Sequence, residues 1–172
     1  MPITPDTKDW TWVLSRPCPD CGYDTSTFEP ANVAAIIRAN GAAWPSVLRR
    51  TDVGVRPNAD TWSPLEYAAH VRDVLRLMTA RIGLMLEEDD PTYPSWNQDE
   101  TAERERYGEQ DPAVVSGELV AAAEELAATL EGVPDEAWSR TGRRSDGAAF
   151  TIASLARYSA HDPIHHLWDV HR

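Results

Sequence analysis

The sequence contains no apolar stretch long enough to cross a membrane and no export signal at its start. No run of about eighteen apolar residues occurs, the minimum length for a transmembrane helix. Residues 1–6 have neither the positively charged start nor the apolar stretch of a signal peptide. We therefore expect a cytoplasmic protein with no membrane partner.

Positive charge is scarce. The 172 residues include 16 Lys and Arg against 28 Asp and Glu, which gives a formal net charge of −12. Nucleic acids and anionic membranes bind clustered Lys and Arg, so both are excluded as partners over most of this surface. The pairs Arg49-Arg50 and Arg143-Arg144 are too short to reverse the balance, and we interpret them as solvated charge at helix ends.

Only two cysteines occur, Cys18 and Cys21, and Gly22 follows the second. A Cys-x-x-Cys followed by glycine resembles half of a zinc knuckle, but there is no second cysteine pair, and a closed site needs two further ligands. A histidine or a second subunit could supply them. The strand–helix context of a thioredoxin-like site is also missing. We interpret Cys18 and Cys21 as an inert or occasionally oxidised thiol pair, with a metal knuckle and then a redox site as alternatives.

Several catalytic motifs are absent. No Gly-x-Gly-x-x-Gly follows a strand, which argues against a dinucleotide or S-adenosylmethionine site. There is no Walker loop, no Gly-x-Ser-x-Gly elbow and no His-Glu-x-x-His, so a serine hydrolase or a metalloprotease of those types is disfavoured.

The hydrophobic spacing favours helix throughout, and no alternating strand pattern is visible. Four long helices are predicted, with a further short helix within residues 97–107. The long helices are expected to begin near Pro30, at Pro64 after the cap Ser63, at Pro112 after the cap Asp111, and after the cap Thr151. The second is expected to end near Glu87 and the third near Leu130. We predict an all-α fold, an antiparallel four-helix bundle with long connections after the second and third helices.

The length suits one domain. Residues 1–27 are predicted to be an irregular N-terminal segment that contains the Cys-x-x-Cys, because its prolines forbid a long helix. Residues 28–172 are predicted to form the bundle.

Three histidines are the main candidates for chemistry: His70, His161 and His165. His161 and His165 are four residues apart, so on a helix their imidazoles share one face within reach of a single ion. His70, near the start of the second helix, could supply a third imidazole. Three protein ligands leave one position open, which is typical of a catalytic metal. The remaining histidines, His166 and His171, are expected at the surface.

Pro163 lies between His161 and His165 and conflicts with helix, because proline removes a backbone hydrogen bond and clashes with the preceding turn. Either the last helix is kinked there, or it ends and a new helix begins with Asp162 as its cap. The second arrangement would turn His161 away from the face of His165.

Carboxylates near the histidines could orient them, because a ligating imidazole usually donates its other N–H to a carboxylate or carbonyl. The candidates are Glu66, Asp73, Asp162 and Asp169. A metal held by imidazoles can lower the pKa of a bound water or thiol, or polarise a carbonyl.

Two stretches resemble the DinB/YfiT-like superfamily of four-helix-bundle metalloenzymes: WSPLEYAAH at residues 62–70 and HDPIHH at residues 161–166. The resemblance implies a divalent metal, commonly zinc or nickel, bound by one histidine of the second helix and by a His-x-x-x-His of the last. By position, these ligands are His70, His161 and His165. Some relatives use a low-molecular-weight thiol, mycothiol or bacillithiol, as cosubstrate in isomerase or S-transferase reactions. The familiar ending His-His-Arg-Gly-Gln is replaced here by residues 165–169, HHLWD, which leaves the substrate open.

We therefore expect a divalent-metal-dependent enzyme acting on a small molecule, either a thiol-dependent S-transferase or isomerase or a hydrolase. The alternative is a non-catalytic metal-binding stress or interaction module that acts as a homodimer. A metal-sensing or storage role is a third hypothesis.

Overall fold

The computed structural model describes residues 9–172, and most of this part of the chain is helical. The helices are α1 (Val33–Leu48), α2 (Pro64–Glu87), the short α3 (Gln98–Arg104), α4 (Pro112–Glu131) and α5 (Ile152–Asp169). The first eight residues of the predicted N-terminal segment, with Pro2 and Pro5, lie outside the described residues. None of the helices within residues 9–172 is both long and apolar enough to cross a membrane.

The helix starts predicted from capping residues are confirmed. Ser63 Oγ accepts the Glu66 N–H at 3.3 Å, and the Ser63 N–H donates to Glu66 Oε2 at 2.9 Å, so both halves of the capping box are present. Thr151 forms a capping box with Ser154 at the start of α5, and the Asp111 side chain accepts two backbone N–H groups at the start of α4. The first helix begins at Val33 rather than at Pro30, because residues 30–32 form a single 3₁₀ turn.

The four long helices form a ring in which sequence neighbours are not always spatial neighbours. Helix α4 packs against α1 and α2, and α5 packs against the same two helices. Helices α1 and α2 therefore lie mainly on a diagonal, although they follow each other along the chain. Large apolar side chains fill the centre; Trp44, Leu75, Met85, Leu126 and Leu155 are all fully or almost fully buried. Burial of this apolar surface is the main stabilising contribution to the bundle.

A small sheet corrects the all-α prediction. Strand β1 (Thr92–Tyr93) runs parallel to β2 (Thr141–Arg144), which pairs with β3 (Ala149–Thr151) in an antiparallel hairpin. The hairpin turn places Gly147 at φ +97°, a backbone conformation that glycine adopts without steric cost. The sheet joins the long connection after α2 to the one after α4, and β3 leads directly into α5. Strands of two to four residues are too short to show an alternating pattern in the sequence.

Candidate metal centre

Helix α5 continues through Pro163 without ending. The Pro163 carbonyl accepts a hydrogen bond from Asn40 Nδ2 at 2.9 Å, and Trp44 Nε1 in turn donates to Asn40 Oδ1 at 3.1 Å. This buried contact from α1 holds the helix at the residue where it lacks a backbone N–H. Residues 161–166 consequently project from one continuous helix.

Three side chains between α2 and α5 bring one ligand atom each to within 4.8 Å of the others: His70, Asp162 and His166, called the His70 group below. His70 Nε2 lies 2.9 Å from Asp162 Oδ2, and His166 Nε2 lies 3.3 Å from Asp162 Oδ1. The His70 side chain is fully buried, and Trp96 stacks on its ring with 5.4 Å between centroids. Two imidazoles and one carboxylate thus lie together between α2 and α5, with Trp96 packed on the His70 ring.

Negative charge dominates around His166. Its Nδ1 lies 3.0 Å from Asp169 Oδ2. Burial opposes a charge on this imidazole, but the Asp162 and Asp169 carboxylates outweigh burial and raise the pKa of His166 to about 9. Burial also disfavours charge on Asp162, yet His70 and His166 hold the pKa of that carboxyl well below its ordinary value. This place in the fold therefore favours a positive charge, carried either by a protonated His166 or by a cation.

A second set of ligand atoms lies where the N-terminal segment crosses α5. Cys18, Cys21, His161 and His165, called the Cys18 group below, also approach one another to within 4.8 Å. Burial, with a smaller contribution from His165, lowers the pKa of His161 to about 4, so this imidazole is neutral at pH 7. Burial, together with the neighbouring Cys18, raises the pKa of Cys21 to about 11, so without a cation its thiol is protonated at pH 7.

A cavity of about 530 Å³ opens beside both groups, a size that suits a small molecule. Its lining comes from α5, including Asp162 and His166, from α2 and from residues 95–99. Arg81 of α2, Arg144 of β2 and Trp10 also line it. Two members of the His70 group, Asp162 and His166, therefore line a space that a substrate could enter.

A family model described as the DinB superfamily matches residues 42–170, which is most of the chain. The chain belongs to the DinB superfamily. Among solved structures, the fold is similar to that of YfiT from Bacillus subtilis, described as "a probable metal-dependent hydrolase with an unusual four-helix bundle topology". The TM-score is 0.72 at 18% identity, over 82% of this chain and 85% of YfiT. No curated protein matches the chain.

In this DinB chain, the three histidines expected to share one metal are divided between two groups. His161 and His165 lie together on one face of α5, as their spacing predicts, but His70 meets the neighbouring pair Asp162 and His166 instead. Successive residues of an α-helix project about 100° apart, so two pairs of side chains offset by one residue contact different parts of the protein. The face of Asp162 and His166 is turned towards α2, and the face of His161 and His165 towards the N-terminal segment.

The four carboxylates considered as orienting partners fall into two classes. Asp162 and Asp169 contact the histidines directly, at 2.9 Å from His70 and 3.0 Å from His166. Glu66 instead completes the cap of α2 and pairs with Arg56. Asp73 accepts hydrogen bonds from Tyr107 Oη at 2.5 Å and from Arg72 Nε at 2.8 Å, so it serves the packing of α2.

The sequence reasoning missed His166, which was expected at the surface. Its side chain is only 16% exposed, since α2 and the aromatic ring of Tyr67 cover it. The signal that could have identified it is Asp162-x-x-x-His166, which has the same spacing as the histidine pair and matches a carboxylate-plus-imidazole donor set.

The residues present fit the divalent metal that a DinB metalloenzyme implies. Two imidazoles and a carboxylate are a donor set for zinc, nickel or iron, and they converge here without a backbone rearrangement. Asp169 lies on the outer nitrogen of His166, where a ligating imidazole usually has its partner. Two observations support the fit of these residues to a metal. One is the donor chemistry of the three side chains. The other is His70 Nδ1, which is buried and has no hydrogen-bond partner among the described residues.

Proposed function

We propose that the protein is a divalent-metal-dependent enzyme of DinB type whose metal is bound by His70, Asp162 and His166. The observation that carries this proposal is the convergence of these three donors, two of which, Asp162 and His166, line the 530 Å³ cavity. Three protein donors leave coordination positions for water or substrate, which favours catalysis over a purely structural role. Zinc and nickel are the metals we expect, in that order.

The protein side chains have distinct parts in this proposal. Asp169 holds the His166 ring through Nδ1, so that Nε2 faces the Asp162 carboxylate. Trp96 and the apolar neighbours of His70 exclude water from one side of the site. When bound, the metal would supply a lowered pKa for a bound water or thiol and would polarise a substrate carbonyl.

The substrate is proposed to be a small molecule that carries an anionic group, such as a carboxylate. Arg81 lines the cavity, is 5% exposed, and forms no ion pair with a carboxylate among residues 9–172. Its Nη2 donates to the Pro94 carbonyl at 2.8 Å, while its Nε has no partner in the same part of the chain. A buried guanidinium without a carboxylate partner is costly unless an anion completes its hydrogen bonds.

Two reaction classes remain within this proposal. The description of YfiT supports metal-dependent hydrolysis. The resemblance to thiol-using DinB enzymes supports transfer to a low-molecular-weight thiol such as mycothiol, or a thiol-dependent isomerisation. Both reactions use the same donors and the same cavity, so dependence on added thiol distinguishes them.

The test combines metal analysis with turnover of a substrate panel. Purified protein, loaded in turn with zinc and nickel, would be assayed on carboxylate-bearing esters and amides with and without a low-molecular-weight thiol. We expect His70→Ala, Asp162→Asn and His166→Ala each to lose metal at this site and to reduce turnover by at least about a hundredfold. His171→Ala, at an exposed histidine, is the matched control and should retain both. Full metal content in all three site variants would overturn the proposal.

The alternative function is a metal-binding interaction module that acts as a homodimer. It would be favoured if the metal at the His70 group gained a fourth protein ligand, or if the metal-loaded protein formed a dimer and turned over nothing in the panel. The homodimer and the cytoplasmic location stay predictions.

A further inference from the structure

The Cys18–Tyr23 loop is folded into a tight turn that directs two thiols towards α5. The Cys18 N–H donates to the Tyr23 carbonyl at 2.8 Å, and the Gly22 N–H donates to the Cys18 carbonyl at 3.0 Å. Gly22 has φ +73°, in the left-handed region that glycine adopts readily. The backbone itself thus fixes Cys18 and Cys21 on one side of the turn.

The distance between Cys18 and His165 matches one edge of a tetrahedral zinc site. Cys18 Sγ lies 3.6 Å from His165 Nδ1, and all four ligand atoms lie within 4.8 Å of one another. With Zn–S of about 2.3 Å and Zn–N of about 2.0–2.1 Å, the sulfur–nitrogen edge of a zinc tetrahedron is about 3.6 Å. The observed distance needs no adjustment to accommodate the ion.

An unsatisfied nitrogen independently indicates a missing partner. His161 is only 4% exposed, and its Nε2 is buried with no hydrogen-bond partner among the described residues. Buried polar atoms in native proteins are almost always paired, and each exception requires an explanation. A cation between the thiols and the imidazoles would remove this exception.

From these observations we propose that Cys18, Cys21, His161 and His165 bind a second metal ion, a structural zinc, separate from the metal of the His70 group. Two thiolates and two imidazoles complete the tetrahedron, so no position is left for substrate. The combination of soft sulfur donors with imidazole selects zinc over magnesium or calcium. The sequence pattern Cys-x2-Cys followed by His-x3-His has the ligand spacing of a zinc finger, with an unusually long intervening stretch.

The zinc would fasten the N-terminal segment to the helix that carries the other metal group. Cys18 and Cys21 precede residues 42–170, the part of the chain that matches the DinB family. The ring of Trp10 lies 5.4 Å from that of His161 and 5.5 Å from that of His165, and Trp10 also lines the cavity. The ion would therefore fix one wall of the cavity without contacting the substrate.

The experiment measures zinc per chain and the ligand field of cobalt(II) in the purified full-length protein. We expect a Cys18→Ser/Cys21→Ser double variant to contain one zinc fewer than the wild type. Apoprotein titrated with cobalt(II) should show a thiolate-to-cobalt charge-transfer band and the intense visible bands of a tetrahedral site. His70→Ala should keep these bands, so failure of the proposed enzyme site would leave this result unaffected.

Further variants keep the test decisive if the double cysteine variant does not fold. His165→Ala and His161→Ala retain both thiols, and each should lose the same zinc equivalent while circular dichroism reports an intact bundle. Absence of the thiolate–cobalt band in wild-type protein would overturn the proposal. A Cys18–Cys21 disulfide found by mass spectrometry in freshly purified protein, or equal zinc content in wild type and the cysteine variant, would also overturn it.

Discussion

At the scale of single residues, neighbouring positions on α5 serve different parts of the molecule. His161 and His165 face the N-terminal segment, whereas Asp162 and His166 face α2. Each pair is spaced by four residues, and the two pairs are offset by one, which rotates them by about 100° about the helix axis. A single helix can in this way present ligands to two sites.

Asp169 is the residue we expect to tune the His70 group without touching a substrate. Its Oδ2 lies 3.0 Å from His166 Nδ1. Asp169→Asn removes the negative charge from that contact, and we expect a loss of roughly 10- to 100-fold in affinity for zinc at this site. Competition with a chromophoric chelator would measure it. Asp169 Oδ2 also lies 3.9 Å from His165 Nε2 of the Cys18 group, so the control is a separate variant, Asp135→Asn at an exposed carboxylate, which should bind zinc as tightly as the wild type. Unchanged affinity at the His70 group in Asp169→Asn would contradict the assigned role of Asp169.

Glu66 should make the free energy of unfolding depend on pH. Burial opposes its ionisation, but Arg56 and the Ser63 hydrogen bonds outweigh burial and lower the pKa of Glu66 below its ordinary value of 4.5. A carboxyl with a lowered pKa stabilises the fold above its unfolded pKa, and the stabilisation is lost as the pH falls through the folded value. We expect Glu66→Gln to reduce the free energy of unfolding by roughly 1–3 kcal/mol at pH 7.

The same comparison at lower pH provides the check. Urea unfolding of metal-free wild type and Glu66→Gln, followed from pH 7 to about pH 3, should show the difference between them shrinking as wild-type Glu66 is protonated. A difference that stays constant over this range would mean that the carboxylate charge contributes nothing.

At the scale of helices, α1 packs closely against α4 at Gly41. A Cβ built at this position would lie 2.5 Å from the Cβ of Ala123, well inside contact distance. We expect Gly41→Ala to destabilise the protein by about 1–3 kcal/mol, because overpacking exceeds the gain of about 0.5–1 kcal/mol in helix propensity. Gly83→Ala in α2 meets nothing within 4 Å, so this control should be neutral or stabilising by up to about 1 kcal/mol. Thermal unfolding of the two variants would distinguish these effects.

The helices were predictable from the sequence because their caps are local. Ser63 with Glu66, Asp111 and Thr151 fix the starts of α2, α4 and α5 through hydrogen bonds to residues two or three positions away. The β2–β3 hairpin was not predicted, since three or four residues per strand carry no period and the parallel partner β1 comes from a distant connection. Whether α5 would continue through Pro163 was also undecided, because the supporting amide of Asn40 comes from α1.

The residues of the two candidate metal groups were only partly predictable for the same reason. Spacing along α5 identifies two candidate pairs, but only the packing of α5 against α2 decides which pair meets His70. The thiols of Cys18 and Cys21 were interpreted mainly as inert because no nearby residue completes a site. Their histidine neighbours are far along the chain, with 147 positions between Cys18 and His165.

At the scale of the whole molecule, the N-terminal segment packs against α5 and buries Val13, Cys18 and Tyr23. Within this segment, Tyr23 Oη donates to the Arg157 carbonyl of α5 at 2.5 Å. The proposed zinc would add a cross-link between Cys18 and His165. This cross-link closes a very long loop, so it would lower the conformational entropy of the unfolded chain.

Removal of the zinc should therefore release this segment before the bundle unfolds. We expect a chelator to accelerate proteolysis within residues 9–27 by roughly tenfold, which corresponds to a loss of ~1.4 kcal/mol in local stability. The helical circular dichroism signal should be retained. The Cys18→Ser/Cys21→Ser variant should be cleaved at the faster rate with and without chelator, and a chelator effect of equal size in that variant would contradict the cross-link.

The one-residue offset between the two ligand pairs on α5 also restricts how this helix can evolve. A single amino acid inserted between Asp162 and His165 would rotate everything that follows by about 100°, separating both pairs at once. Substitutions on the outer surface of α5 disturb neither pair, and the connection at residues 49–63 binds no proposed ion. Length changes in related sequences should therefore accumulate in that connection, while the spacing from residue 161 to residue 166 stays fixed.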